Sequence, residues 1–227
     1  MKENTQKAVE LFEKAIELEP SYARAHAWRA CTLSNLADWE ESPDPKIFEN
    51  AFESIKLALE LDSNEPEVHR IMGALKLWHE RDHEMARYHF EKARELCPSD
   101  VFIISRYAIM LIYFAEFDKA LEELERAKRL DPFSHDLLFG PEAICHYWLD
   151  NSEEALQTFK KVKVKKNFLF YIALANKKSG NNDKASENLK EAYALTGMDN
   201  DSFVGSQPFK DQEFTSKLKS ELSNITV

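Results

Sequence analysis

Residues Phe117–Pro132 read FDKALEELERAKRLDP. The frame of this stretch is Ala120, Leu124, Ala127 and Pro132, three positions at helical spacing on one face followed by a proline. The two alanines let a neighbouring helix approach closely, and the larger side chain between them fills the gap this leaves. A proline after Leu-Asp cannot continue the helix and marks its end. The same frame recurs in KAVELFEKAIELEP as Ala8, Phe12, Ala15 and Pro20, and in MARYHFEKARELCP as Ala86, Phe90, Ala93 and Pro98. Ala51, Ile55 and Ala58 form another copy, with Ser63 in the place of the proline. Ala155, Phe159 and Val162 form a fifth, and Ala185, Leu189 and Ala192 a sixth.

A second apolar-periodic segment precedes each such helix. In PEVHRIMGALKLWHE, Gly73 stands thirteen residues ahead of Ala86. In VFIISRYAIMLIYFAEF, Ala108 stands twelve ahead of Ala120, and Ala173 holds the matching place before Ala185. A small residue on this first helix faces the second, so the predicted unit is helix, short turn, helix and proline, closed as a hairpin of about 34 residues. Pro98 and Pro132 are 34 residues apart, Ser63 and Pro98 are 35, and Pro20 and Ser63 are 43. The largest excess lies in ADWEESPDPKIFEN, where the ESPDP cluster predicts an enlarged turn between two long helices. The fifth unit stops early, at KVKVKKN, without its proline. The chain opens directly in a helix of the second type, which leaves an apolar face for a partner or a second copy to cover.

The chain has 227 residues, 44% hydrophobic and 31% charged, enough to bury a core and too apolar for disorder. Only 5 glycines argue against a turn-rich sheet protein and against Gly-rich phosphate loops. A net charge of −10 and a pI near 5.3 lack the basic footprint of a nucleic-acid binder and suit basic or apolar partners. Three widely spaced cysteines do not make a disulfide framework and fit a reducing cytoplasm. No signal pattern is visible, and no apolar run reaches the roughly 18 residues of a membrane span, so neither membrane nor nucleic acid is expected as a partner.

The repeated frame resembles the tetratricopeptide repeat family over roughly residues 5–195. The second-helix signature of that family is well kept. Its first-helix signature fits at Met72-Gly73 and Tyr107-Ala108 and departs at Arg29-Ala30. The resemblance implies an all-α fold of antiparallel helix pairs stacked into a right-handed superhelix. Residues 1–20 would be the second helix of a truncated repeat, residues 21–196 five hairpins, and residues 197–227 a linker and a capping helix on which Phe209, Phe214 and Leu218 share a face. More narrowly, YARAHAWRA, LELDSNEPEVHRIMG, RLDPFSHDLLFG and QPFKD resemble the tetratricopeptide tail of bacterial class III adenylate or guanylate cyclases. That likeness implies a catalytic domain in the same parent chain as partner. No cyclase catalytic domain is present in this sequence, so no cyclase activity carries over.

One motif invites a catalytic reading. His79–His89 reads HERDHEMARYH, an H-E-x-x-H with a third histidine six residues on, the ligand spacing of a zinc hydrolase. That chemistry needs the first two histidines stacked on one helix face. The register set by Gly73 and Ala86 places the inter-helix turn at about Glu80–Asp82, which puts His79 and His83 on opposite sides of it. No G-x-S-x-G and no P-loop occurs. Cys31, Cys97 and Cys145 read as packing or surface thiols, and Lys160–Lys166 (KKVKVKK) as a solvated helix end. The expectation is a non-enzyme without metal or cofactor.

In stacks of this kind the first helix of each hairpin lines the concave side. The groove positions are then Arg24, Arg70, Trp78, Phe102, Ile109, Tyr113, Tyr147, Trp148 and Phe170, a set rich in the residues that anchor protein interfaces. The competing reading of each is as filling between hairpins. Family members that hold chaperone C-terminal carboxylates use Lys and Asn at set groove positions. Those positions here are Ala27/Cys31, Arg70/Ala74 and Ser105/Ile109, so that clamp is absent. The expected ligand is a protein or peptide partner: an apolar or aromatic peptide, a helix, or a neighbouring domain.

Overall fold

The computed structural model describes residues 2–37, 44–133 and 136–226, and among them it contains helices and turns but no strand. The chain forms two compact units, Met1–Pro98 and Ser99–Val227. In the first, α1 (Lys2–Leu18) lies along α2 (Ala23–Ala37), which pairs with α3 (Pro45–Leu61). A second hairpin joins α4 (Pro66–Leu75), extended by a π turn at Lys76–Glu80, to α5 (His83–Leu96). The second unit holds the hairpins α6 (Val101–Tyr113) with α7 (Phe117–Leu130), α8 (Asp136–Trp148) with α9 (Ser152–Phe159), and α10 (Leu169–Lys178) with α11 (Asn182–Thr196). It closes with α12 (Asn200–Ser206) and α13 (Gln212–Ser223). The fold is the expected all-α stack of helical hairpins. Most of the ESPDP turn between α2 and α3 lies outside the described residues.

The alanine frame forms the seam of each hairpin. Ala51, Ile55 and Ala58, then Ala86, Phe90 and Ala93, then Ala120, Leu124 and Ala127 are all buried, and so are the copies on α9 and α11. In α1 the equivalent Ala8, Phe12 and Ala15 are half-buried, and Leu11 and Leu18 are exposed. Within the α4–α5 hairpin the approach is tightest at Gly73, where a methyl group would stand 2.9 Å from the ring of Phe90. Phe90 is the large residue of the frame on the partner helix, so the small-against-large pairing expected from sequence is a direct contact.

The four hairpin turns among the described residues share one geometry. Arg81 (φ 56°), Ala115 (φ 58°), Asp150 (φ 62°) and Gly180 (φ 77°) each occupy the left-handed region between first and second helix. The next residue then donates its N–H back into the first helix. Glu116 reaches the Leu111 carbonyl, Asn151 that of His146, and Asn181 that of Asn176, each at 2.9 Å and five residues back. These bonds satisfy carbonyls that a helix end leaves open. At the fourth turn Asp82 donates to Lys76, six residues back, at 2.9 Å. The additional residue is the one that lengthens the Ser63–Pro98 interval, and the π turn at Lys76–Glu80 absorbs it. Only one of the four left-handed positions is a glycine, which reconciles these tight turns with so glycine-poor a chain.

Helix α9 stops at Phe159, just before the KVKVKKN stretch at which the fifth unit is expected to end, and a 3₁₀ turn at Lys165–Phe168 leads into α10. Lys163, Lys165 and Lys166 are exposed. The shortened helix leaves a mixed-charge cleft of about 820 Å³ among α9, α10 and α11, lined by Gln157, Lys165, Asn176 and Asn188 among others.

Two substitutions probe this packing from opposite sides. Ala115→Gly relieves a left-handed alanine and raises stability by roughly 0.5–1 kcal/mol. Gly73→Val drives a branched side chain into Phe90 and costs roughly 1–3 kcal/mol. Urea denaturation followed by circular dichroism reads both, and unchanged midpoints would refute the assigned roles.

Candidate interaction groove

In the first unit the expected groove residues are tied to neighbours. Arg24 is exposed and meets the Glu65 carboxylate at 2.8 Å. Arg70 is buried. Its guanidinium forks onto Glu67, with Nε 3.0 Å from Oε1 and Nη2 2.8 Å from Oε2, and lies over the Trp28 ring, 5.1 Å from its centroid. Phe12 of α1 stacks on the other part of this cluster, 6.3 Å from Trp28. Trp78 is half-buried on the π turn.

The histidine motif resolves into structural contacts. Arg81, left-handed, ends the π turn, so His79 and His83 belong to different helical segments. The His79 Nε2 is 2.6 Å from the Ser34 hydroxyl, and its ring is 4.7 Å from that of Phe48. His89 faces His69 instead, Nδ1 to Nδ1 at 3.0 Å, while the Nε2 of His69 is 3.0 Å from the Ser63 carbonyl. A carbonyl only accepts, so His69 carries its proton on Nε2 and its Nδ1 accepts from His89. The pair is complete with both rings neutral. Burial pushes His89 down to about 4, assisted by His69 and Lys76 and opposed by Asp82. Among the described residues no group of three His, Cys, Asp or Glu side chains is placed to hold a metal.

The second unit gathers the aromatic positions. Asp100 caps α6, accepting from the N–H groups of Phe102 and Ile103 at 2.8 and 3.0 Å. Phe102 and Ile109 are half-buried along that helix, with Arg106 over the Phe102 ring at 4.8 Å. The last turns of the three first helices then present Tyr113 on α6, Tyr147 and Trp148 on α8, and Lys178 on α10. Phe170 stands near the start of α10. Tyr147, Trp148 and Phe170 are buried, and Tyr113 is half-buried.

What covers them is the C-terminal segment of the same chain. Phe203 of α12 stacks flat on Phe170, centroids 4.0 Å apart and planes 7° from parallel. Beyond α12 the chain turns back along the first helices. The Gln207 side chain accepts from the Tyr113 hydroxyl at 3.2 Å, and the Lys210 N–H donates to the Tyr113 carbonyl at 2.9 Å. Phe209 meets both Tyr113 and Trp148 edge to face, at 5.2 and 5.3 Å. Phe214 packs edge to face on Trp148 at 5.2 Å and on Phe117 at 5.5 Å. Lys217 caps the Trp148 ring at 5.7 Å. At the far end Glu221 of α13 accepts from the Tyr147 hydroxyl and lies 3.6 Å from the Lys178 ammonium, which itself sits over the Tyr147 ring at 4.2 Å. Burial, then the Glu221 carboxylate, pushes the Tyr147 hydroxyl far above its ordinary range, so it stays a donor.

Phe214 and Leu218 lie on α13 as expected, but Phe209 does not: it precedes the helix in a non-helical stretch, and the seat of the segment was not legible in sequence. The segment reaches back past the last hairpin as far as α6. Lys178 is the residue of this candidate face that sequence reasoning missed. It lies one position beyond Lys177, which points toward Asn182. Nothing in the local pattern separates the two.

The tetratricopeptide repeat family matches residues 11–42 of the chain. No curated protein matches it in sequence. Among solved structures it is similar to PilW, a widely conserved type IV pilus biogenesis factor, at 19% identity and a TM-score of 0.64 over 87% of this chain and 88% of that one. It is similar to PilF of Pseudomonas aeruginosa at 20% identity and a TM-score of 0.58, covering 94% and 90% of the two chains. YrrB, a tetratricopeptide protein with an unusual peptide-binding site, aligns at 23% identity and a TM-score of 0.51, covering 82% of this chain and 93% of its own. These likenesses establish the tetratricopeptide fold. No helix among the described residues is long and apolar enough to cross a membrane.

The buried His89 makes stability sensitive to mild acid. A histidine held below its ordinary value binds its proton more readily in the unfolded chain, so stability falls as pH drops from about 6.5 toward 4. His89→Gln keeps an N–H for His69 and removes the titration. The urea midpoint of the variant then falls less between pH 7 and pH 4.5 than that of the unmodified chain. Equal falls would refute the assignment.

Proposed function

We propose that this chain is a non-catalytic interaction scaffold that captures a peptide or helix on the face formed by the first helices of its hairpins. The observation that carries the reading is the seating of residues 203–221 against Tyr113, Tyr147, Trp148 and Phe170. That face already holds a polypeptide segment by aromatic anchors, which is how hot spots of protein interfaces work. The peptide-binding site of YrrB, a protein of the same fold, adds support.

Several groups that could carry reaction chemistry are engaged in packing, which supports the non-catalytic reading. His79 of the H-E-x-x-H stretch bonds to Ser34 and the third histidine, His89, to His69 on another helix, and burial pushes the Cys145 thiol well above its ordinary range, away from nucleophilic use. A cytoplasmic location fits three free cysteines. The likeness of the repeat segments to cyclase tails would place the same recognition in cis, on a catalytic domain of a longer parent chain. A second copy would meet the exposed Leu11 and Leu18 of α1.

Selection of a displayed random peptide library on the immobilised full chain tests the scaffold reading. The expected result is enrichment of aromatic-bearing peptides whose binding drops at least about tenfold on Trp78→Ala or Tyr113→Ala. Failure to enrich any sequence, with the chain folded by circular dichroism, would sink it.

A further inference from the structure

We infer that the face formed by α6, α8 and α10 is a binding site for an amphipathic segment carrying two phenylalanines five residues apart and a carboxylate one to two helical turns further on, and that the chain's own C-terminal segment is its resident, exchangeable occupant. The inference rests on the scaffold reading and specifies the partner.

The contacts of the segment define the recognised chemistry. Phe209 and Phe214 are the anchors. They enter a pocket walled by Tyr113, Phe117 and Trp148, and they stack on each other at 5.8 Å. Glu221, seven residues after Phe214, reaches the Tyr147 hydroxyl and the Lys178 ammonium. Lys178 is also paired with Asp150 at 2.7 Å, so this end of the face is a built donor site for a carboxylate. Leu218 and Leu222 complete the buried side of α13. On either side of Phe209, Gln207 and Lys210 dock the extended stretch onto the side chain and carbonyl of Tyr113. A ligand of the same kind enters extended, places its two rings, and continues as a helix whose acidic side chain meets Tyr147 and Lys178.

The manner of attachment marks the segment as an occupant rather than a further hairpin. The hairpins are tied by alanine seams and, at the four turns among the described residues, by a left-handed residue between the two helices. The C-terminal segment has neither. Among the described residues, the backbone hydrogen bond joining residues 203–226 to the hairpins is the one from Lys210 to Tyr113. All its other links are side-chain anchors, as in a bound peptide. It leaves α11 through Gly197, whose φ of 73° is left-handed and whose surroundings within 4 Å are open. One covalent tether of this length gives an effective concentration on the order of mM, so the resident segment competes strongly with any ligand in trans. If it is seated about 99% of the time, a competitor's apparent Kd rises about a hundredfold.

The probe is a synthetic peptide of residues 199–226, fluorescently labelled, titrated against the full chain and against the full chain carrying Phe209→Ala and Phe214→Ala. Anisotropy is the readout. The peptide binds the double variant at least about tenfold more tightly than the unmodified chain, and a peptide with both phenylalanines replaced by alanine does not bind. Adding Lys178→Ala to the double variant weakens the peptide, and this loss vanishes for a Glu221→Gln peptide. Equal binding to both chains, or none to a folded double variant, overturns the inference. So does a concentration-dependent dimer of the unmodified chain abolished by the same two substitutions, because the occupant would then be a second copy. Hydrogen exchange on the unmodified chain gives a test that needs no variant. Amides of α13 exchange at least about tenfold faster than those of α6 and α8, whereas equal protection would make the segment part of the cooperative core. Should the peptide fail while the library still yields ligands of another kind, only the exchange inference falls. Failure of both removes the scaffold reading as well.

Discussion

Close crossing of two helices at small side chains is the constraint on which this structure rests. Where Gly73 meets Phe90, there is no room even for a methyl group. Each of the later hairpins repeats the arrangement with alanine, as at Ala120 and Ala127 around Leu124. A single hairpin closed this way still exposes an apolar face, because the seam uses only one side of each helix. The next hairpin must cover it, and α8 against α6 and α7 shows how. The face of the first helices that remains is a consequence of this stacking, and in the second unit it is aromatic.

How much of this could be read from sequence follows from the range of the interactions. The alanine frame is local and periodic, so the hairpins, the early stop of α9 and the turn between His79 and His83 were all legible. The additional residue between Ser63 and Pro98 was visible as a count. Only the structure shows that it is taken up as a π turn, since a bulge at Lys76–Glu80 and a longer loop at Arg81 have the same length in sequence. The fates of the groove residues were less legible. Arg70 has the position of a ligand contact, but Glu67 one turn earlier and Trp28 on another helix hold its charge inside the first unit. Tyr147 and Trp148 have the composition of interface anchors and are buried all the same, because residues some sixty to seventy positions away cover them. Contacts of that separation leave no period in the chain.

The two units distribute their polar groups differently. In the first unit, buried charge and imidazole are internally satisfied. Arg70 is forked on Glu67, and His89 donates to His69, which donates to a carbonyl. Groups so completed stabilise one arrangement and leave little for a ligand to bind. In the second unit, the Tyr147 hydroxyl completes its bond with Glu221, a residue of the C-terminal segment rather than of the hairpins, and Lys178, held by Asp150 of its own hairpin stack, adds its charge beside the same carboxylate. The hydroxyl and the neighbouring charge therefore face whatever occupies that side.

The same anchors can serve both stability and exchange because the two depend on different comparisons. Burying Phe203, Phe209 and Phe214 stabilises the seated segment relative to water, and rings of that size dominate interface energetics. Exchange depends only on the difference between this segment and a competitor of similar chemistry, for which most of the burial cancels. What remains is the advantage of the tether, an entropic term set by chain length and independent of the rings. A partner overcomes it by being present at high local concentration or by fitting the Tyr147–Lys178 end better than Glu221 does. The aromatic pocket thus supplies affinity, while the polar end, where a single carboxylate is read by a hydroxyl and an ammonium, is where discrimination between resident and partner is decided.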